Sequence, residues 1–206
     1  MLSERVSAQP EKTPTPVGRP RAFVPEKALH NALDVFWRQG FEVTSLDDLT
    51  RAMQLSRSSF YASFGTKREV FLAAIQTYTD EHFAAVSSIA DSTTDPLAAT
   101  QAVLATITDL ADADGGGRGC FFVNSVTALA PHDDELAACS HDHITRVLAL
   151  LTGLLVRAGF SPRRARDRAG AALALAMGSL TLRKAGVPAA TVKTLLKQMK
   201  TLLAAP

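Results

Sequence analysis

Between Thr44 and Glu69 the chain sets hydroxyls and cations at spacings that suit an anionic, hydrogen-bonding partner. The run Ser56-Arg57-Ser58-Ser59-Phe60-Tyr61-Ala62-Ser63-Phe64 reads as a two-turn helix capped by Ser56. Phe60 and Phe64, spaced i, i+4, must face a core. Arg57, Ser58, Ser59, Ala62 and Ser63 are left near the outer surface. An arginine donates two bonds to a guanine, serines reach several base edges, and an alanine touches a thymine methyl. Lys67 opens the next helix, where the macrodipole is positive and a cation is disfavoured; Arg68 compounds this. A phosphate at that helix end makes an asset of the lysine. Thr44 and Ser45, at the start of the preceding helix, offer a second phosphate site. Arg19 and Arg21 on the leading arm are placed to reach a minor groove. The plain alternative for Arg57, Lys67 and Arg68 is solvated surface.

A second set lies further on. Cys120 follows Gly115-Gly116-Gly117 and Arg118. A helix start and a nearby cation both lower a thiol pKa and favour a reactive thiolate; the alternative is a small buried residue. Phe121, Phe122, Val126, Leu129, Ile144, Val147 and Leu148 can line a pocket or simply fill a core. Asn124, Ser125 and Thr127 are its polar handles. The expected ligand-binding set is Cys120, Phe121, Asn124, Ser125 and His143. Cys139 and His143 are i, i+4, but His141 faces elsewhere and no ligand spacing recurs, so no metal is expected. No Gly-rich phosphate loop, paired carboxylates or nucleophile signature is present, so neither an enzyme nor a cofactor is expected. Asp133-Asp134-Glu135 reads as charge at a helix start.

The elements that position these residues are helical throughout. The chain has 206 residues, 47% hydrophobic but only 6% aromatic, a mixture that favours helices over sheets. Residues 3–20 are rich in Pro, Thr and charge and read as a disordered arm. Helical spacing begins at Pro25 and stops at Gly40. Three helices follow as the second, third and fourth, opened by Ser45, Ser56 and Thr66, the last with Glu69 three positions on as a capping box. The fourth is expected to run towards Val86. A fifth runs from Pro96 to near Asp112, and a sixth from Cys120 to Leu129, stopping before Pro131. A seventh spans Asp134 to Ala158, an eighth Pro162 to Gly186, and a ninth Ala189 to Leu203. Ala171, Ala172, Leu173, Ala174, Leu175, Ala176, Met177 and Gly178 make the eighth apolar nearly all round, so more than one face should be buried.

Charge names no partner: the net is +2, with ten Lys/Arg against eight Asp/Glu in residues 1–70 and twelve against twelve beyond. Two cysteines make no disulfide framework, and no signal peptide or membrane-length apolar run is evident. A cytoplasmic protein with no membrane partner is expected.

Phe41-Glu42-Val43-Thr44-Ser45-Leu46-Asp47-Asp48-Leu49 resembles the second helix of the tetracycline-repressor (TetR) family. Ser56 to Glu69 resembles that family's recognition helix and the start of its fourth. The resemblance is specific over about residues 18–78; beyond that it is one of helix count and length. It implies an all-α fold: an N-terminal three-helix helix-turn-helix domain (21–68) after the arm (1–20), then a C-terminal helical bundle for ligand binding and dimerisation (69–206). It implies that Tyr61 sends its hydroxyl to a phosphate and that Lys67 does the same with its ammonium. It implies a homodimer joined through the last two helices, on a palindromic double-stranded operator. The function implied is a repressor released by a small-molecule inducer or a reactive electrophile, Cys120 being the thiol that some members use. One departure is Gln54, where the family usually has Gly; if φ is positive there, the cost is about 1 kcal/mol. The competing reading is a helical small-molecule-binding protein or enzyme that does not bind DNA.

Overall fold

The computed structural model describes residues 24–109 and 118–203. The arm with Arg19 and Arg21, Asp112 and the Gly115-Gly116-Gly117 run lie outside the described residues. Within them the fold is all-α, with no strand: α1 (Pro25–Gln39), α2 (Leu46–Met53), α3 (Arg57–Phe64), α4 (Lys67–Ser92), α5 (Pro96–Asp109), α6 (Phe121–Leu129), α7 (Asp134–Arg157), α8 (Pro162–Lys184) and α9 (Ala189–Leu202).

Local chemistry sets most starts. Ser45, Ser56, Thr66, Asp133 and Ser161 each accept from a backbone N–H three residues on, a cap worth about 1 kcal/mol. Ser45 and Thr66 form full boxes with Asp48 and Glu69. One boundary differs from expectation. α4 continues past Val86 to Ser92 because Val86 and Ala90 keep its apolar face buried under α5. α6 stops at Leu129, before Pro131, as its spacing predicts, and Pro131 falls in the short element that follows. It sits in the first turn of a 3-10 segment, Ala130–His132, where a missing N–H is harmless.

Two cores follow. The head core gathers Phe36, Leu49, Met53, Phe60, Val70, Phe71 and Ile75 from α1 to α4, and takes in Phe121 from α6 and Leu136 from α7. Phe71 lies edge-on to both Phe36 (5.2 Å) and Phe121 (6.0 Å). The body core joins α4, α5, α7, α8 and α9 around Leu104, Leu151, Leu155, Ala172 and Ala176. α4 serves both cores and, at 26 residues, spans about 39 Å. α8 buries only one face in the single chain, through Ala165, Ala169, Ala172, Leu173 and Ala176. Ala171, Ala174, Gly178 and Leu182 lie exposed on the other, with open space beside Gly170 and Gly178. No helix among the described residues is long and apolar enough to cross a membrane.

Candidate nucleic-acid interface and effector cavity

α3 is anchored by Phe60, which is fully buried, while Phe64 is half-buried. The turn before it depends on Gln54, whose φ of 57° and ψ of 42° put it in the left-handed region. The sharp reversal lets Leu55 N–H donate to the Thr50 carbonyl (2.9 Å), and α3 starts two residues later. With Phe60 inward, Arg57, Ser58, Tyr61 and Ala62 are exposed, and Ser59 and Ser63 are half-buried. Ser56 Oγ lies 2.9 Å from both Ser58 Oγ and Ser59 Oγ, a hydroxyl cluster at the helix start. Arg57 donates through Nη2 to Asp47 Oδ1 (2.7 Å) and through Nε at 3.1 Å. The pair is fully exposed and screened by water, so the guanidinium can readily exchange its partner.

The phosphate sites differ from expectation. Thr44 is buried, and its hydroxyl donates to the Gly40 carbonyl (2.7 Å), so it closes the turn after α1 and is out of reach of a phosphate. Ser45 is exposed, but its hydroxyl and N–H both donate to Asp48 (2.6 and 3.0 Å). At α4 the N–H and hydroxyl of Thr66 likewise donate to Glu69 (2.7 and 2.8 Å). Each box fills part of the helix-start anion site with its own carboxylate and leaves the first two helical amides open. Lys67 resolves its dipole conflict inside the chain. Its ammonium donates to the carbonyls of Thr44 (2.8 Å) and Glu42 (3.3 Å) and sits 4.4 Å from the centre of the Phe41 ring. It thereby holds the start of α2 against the start of α4. Arg68 turns away from the α3 face altogether. It makes a two-bond fork to Asp133 (2.8 and 3.1 Å) and a bond to Glu135 (2.8 Å). The acidic start of α7 is thus also the anchor that ties the head to the body.

A second junction runs through the residues around Cys120. Trp37 donates its indole N–H to the Gly119 carbonyl (3.0 Å), and Arg118 pairs with Asp34 (2.7 Å) while lying over the Trp37 ring. Arg118 is therefore committed to α1, and Cys120 is not the activated thiol its neighbours suggested. Burial pushes the Cys120 thiol up, outweighing its contact with the Tyr78 hydroxyl (3.3 Å).

Cys120 borders a small cavity in the body, about 30 Å³, lined by Tyr78, His82, Phe122, His143, Ile144, Val147 and Met177 among others. His82 and His143 face each other with ring centres 5.4 Å apart, and neither Nδ1 has a hydrogen-bond partner. Desolvation holds both rings neutral: His143 falls to about 4 and His82 is lowered from 6.5. His82 is the residue sequence reading missed. The available signal is its i, i+4 spacing from Tyr78, which puts both on one face of α4. The expected ligand set divides. Cys120 and His143 border this cavity, whereas Phe121, Asn124 and Ser125 border a different cleft, between head and body. Cys139 does not join His143; its thiol donates to Gln76 Oε1 (3.4 Å). No cluster of three or more His, Cys, Asp or Glu able to hold a metal occurs among the described residues.

Comparison with known proteins agrees with this layout. Residues 28–74 match the model of bacterial regulatory proteins of the tetR family. Residues 96–198 match the C-terminal domain of LmrA/YxaF-like transcriptional regulators. An uncharacterized HTH-type transcriptional regulator of Bacillus subtilis, YezE, is 32% identical over 121 residues, covering 59% of this chain and 62% of that protein. The HTH-type transcriptional repressor ComR of Escherichia coli is 33% identical over 124 residues, 58% of each. The chain thus spans about three fifths of the length of the curated relatives it matches. A cysteine mutant of the TetR family regulator CifR, solved with 26 bp double-strand operator DNA, superposes with a TM-score of 0.75 at 26% identity. That match covers 91% of this chain and all of the other. Reduced NemR of E. coli shares the fold, with a TM-score of 0.76 at 18% identity over 88% of this chain and 97% of its own. With the head and the body each matched by a regulator model, the chain belongs to the tetR family of bacterial regulatory proteins.

Proposed function

We propose that the chain is a sequence-specific DNA-binding transcriptional regulator acting in the cytoplasm as a homodimer, a repressor released from a palindromic operator by a small ligand. The observation that carries the reading is the two-sided α3. Phe60 is fully buried beneath it, while Arg57, Ser58, Tyr61 and Ala62 stand out on the opposite side, the arrangement a helix needs to enter a major groove. Arg57 and the Ser56-Ser58-Ser59 hydroxyls read base edges. Tyr61, Ser45 and the open amides at Lys67 and Arg68 take phosphates, with the Lys67 charge beside them. Arg19 and Arg21 take the minor groove. The operator complex of the CifR mutant supports this assignment.

The dimer is built through α8 and α9. The exposed small residues Ala171, Ala174 and Gly178 support it, because such a face lets a second helix approach closely. Release works by population shift: an effector that enters and widens the histidine cavity, about 30 Å³ as it stands, favours a body geometry that moves the two α3 helices off their spacing. An electrophile acting at Cys120 is the second route. The elevated thiol weighs against it, and complete alkylation of Cys120 that leaves DNA affinity unchanged would rule it out. Retention on duplex DNA that falls steeply with added salt, by a species of dimer mass in light scattering, is the expected result. A monomer with no salt-sensitive retention favours the helical binding-protein alternative.

A further inference from the structure

The cleft between head and body is the larger of the two spaces described, about 360 Å³, within the range of about 300–1,000 Å³ typical of small-ligand sites. It shares no lining residue with the histidine cavity. Trp37 and Phe41 from the head and Leu129 from α6 form apolar walls, and Ser125, Arg118 and Lys184 supply its polar groups. Among the described lining residues Glu42 is the one acid and Arg38, Arg118 and Lys184 are the cations, both arginines being paired with Asp34.

Ser125 marks this space as more than a gap. Eight hydroxyls are buried among the described residues. Those of Thr44, Thr50, Thr79, Thr100, Thr108, Ser140 and Ser179 all donate to main-chain carbonyls. Ser125, only 6% exposed, makes no hydrogen bond there, although its helix offers a carbonyl one turn back as the others do. Its oxygen is not among the side-chain atoms sealed from solvent without a partner, so the hydroxyl stands open to the cleft as a donor for an arriving acceptor. Lys184, at the end of α8, is exposed and likewise forms no ion pair among the described residues; its side-chain carbons pass within van der Waals reach of Gly119.

We propose that this cleft binds a small organic anion with a flat apolar body, its carboxylate or sulfonate accepting from Ser125 and lying near the Lys184 ammonium. The flat body packs against Trp37 and Phe41. Because the walls come from both head and body, an occupant fixes the angle between them, which the histidine cavity, wholly within the body, does not do directly. The site is additional to the effector cavity and does not depend on what that cavity takes.

The probe is 8-anilino-1-naphthalenesulfonate, with uncharged N-phenyl-1-naphthylamine as its counterpart. The chain has one tryptophan, Trp37, so energy transfer from it reports binding near the junction of head and body, and the variants below separate the cleft from the histidine cavity beside Tyr78. The sulfonate should bind once per chain with transfer from Trp37. Lys184→Glu and Ser125→Ala should each weaken it about tenfold, as expected on losing a hydrogen bond or charge contact to an anion. Both should leave the uncharged dye and the melting temperature nearly unchanged, and His143→Gln should have no effect on sulfonate binding. Equal binding of the two dyes with indifference to Lys184→Glu would overturn the proposal, as would absence of transfer or loss of sulfonate binding in His143→Gln. Operator binding plays no part in the readout, so the result stands apart from the regulator reading.

Discussion

The head and the body pair most of their buried hydroxyls alike, Thr100, Thr108, Ser140 and Ser179 of the body donating to carbonyls, but they differ in the polar groups left at their cavities. In the head, Ser45, Ser56 and Thr66 close the starts of α2, α3 and α4 with their own side chains. The buried Thr44 and Thr50 both donate to carbonyls, and Lys67 is held by two more. In the body, the Nδ1 atoms of His82 and His143 are buried without partners, and Ser125 makes no hydrogen bond. A head whose buried polar groups are spent internally is held to one shape and presents α3 as a fixed surface. A body that leaves polar atoms unspent around cavities is a receptor whose shape an occupant can shift. Rigidity where bases are read and incompleteness where signals arrive is a division suited to a regulator.

The sharpest way to break the contrast is to loosen the head. Phe60→Ala removes a fully buried ring and should cost about 3–5 kcal/mol, seen as a lost or early thermal transition together with lost DNA binding. If α3 keeps its function without that ring, the head is not the rigid half. Smaller changes sharpen the picture. Lys67→Ala frees the α2 start and removes a cation; affinity should fall about tenfold, or 1.4 kcal/mol, on every sequence. Arg57→Ala should instead mainly relax the choice of sequence. A binding assay on matched and mismatched duplexes separates the two.

In the body the test is titration. The folded chain keeps His143 neutral down to about 4 and lowers His82 from 6.5, whereas both protonate near 6.5 once unfolded. Between pH 6.5 and 4 the unfolded state therefore binds more protons, so stability is fullest above 6.5 and declines as pH drops through that window. Asp80, Asp142 and Arg146 lie in the same field, and the Arg146 guanidinium holds the Asp80 carboxyl below its ordinary range. His143→Gln should remove up to about one proton from the slope, measured by urea midpoints at several pH values. An unchanged slope would mean that the ring is already charged or solvated. The smallest effect is expected at the link between the halves. Arg68→Ala breaks the exposed fork to Asp133 and Glu135 and should scarcely move the melting temperature. It should nonetheless blunt the loss of DNA affinity caused by an effector.

What could be read from the sequence follows the range of the forces involved. The starts of α2, α3, α4, α7 and α8 were legible because a cap is a contact between residues three apart. Phe60 was legible because helical periodicity decides which side goes in. A left-handed Gln54 entered only as a condition raised by the resemblance, which has Gly there, and the structure meets that condition with φ 57°. The roles of Thr44, Arg68 and Cys120 depend on partners 4, 65 and 42 residues away. For Thr44 the carbonyl of Gly40 competes with a phosphate in a way that residue type alone does not reveal. Arg68 and Cys120 needed the packing of α7 and α4 to be known. The histidine pair was hidden for the same reason, since His82 and His143 lie 61 positions apart and meet only when α4 and α7 pack.

The most direct measurement is selection of bound sites from random duplex DNA with the full chain. The account predicts a palindrome with half-sites about 34–36 Å apart, and loss of the preferred base at one position per half-site with Arg57→Ala. Recovery of no enriched sequence, or of a palindrome indifferent to Arg57 and Ser58, would contradict it.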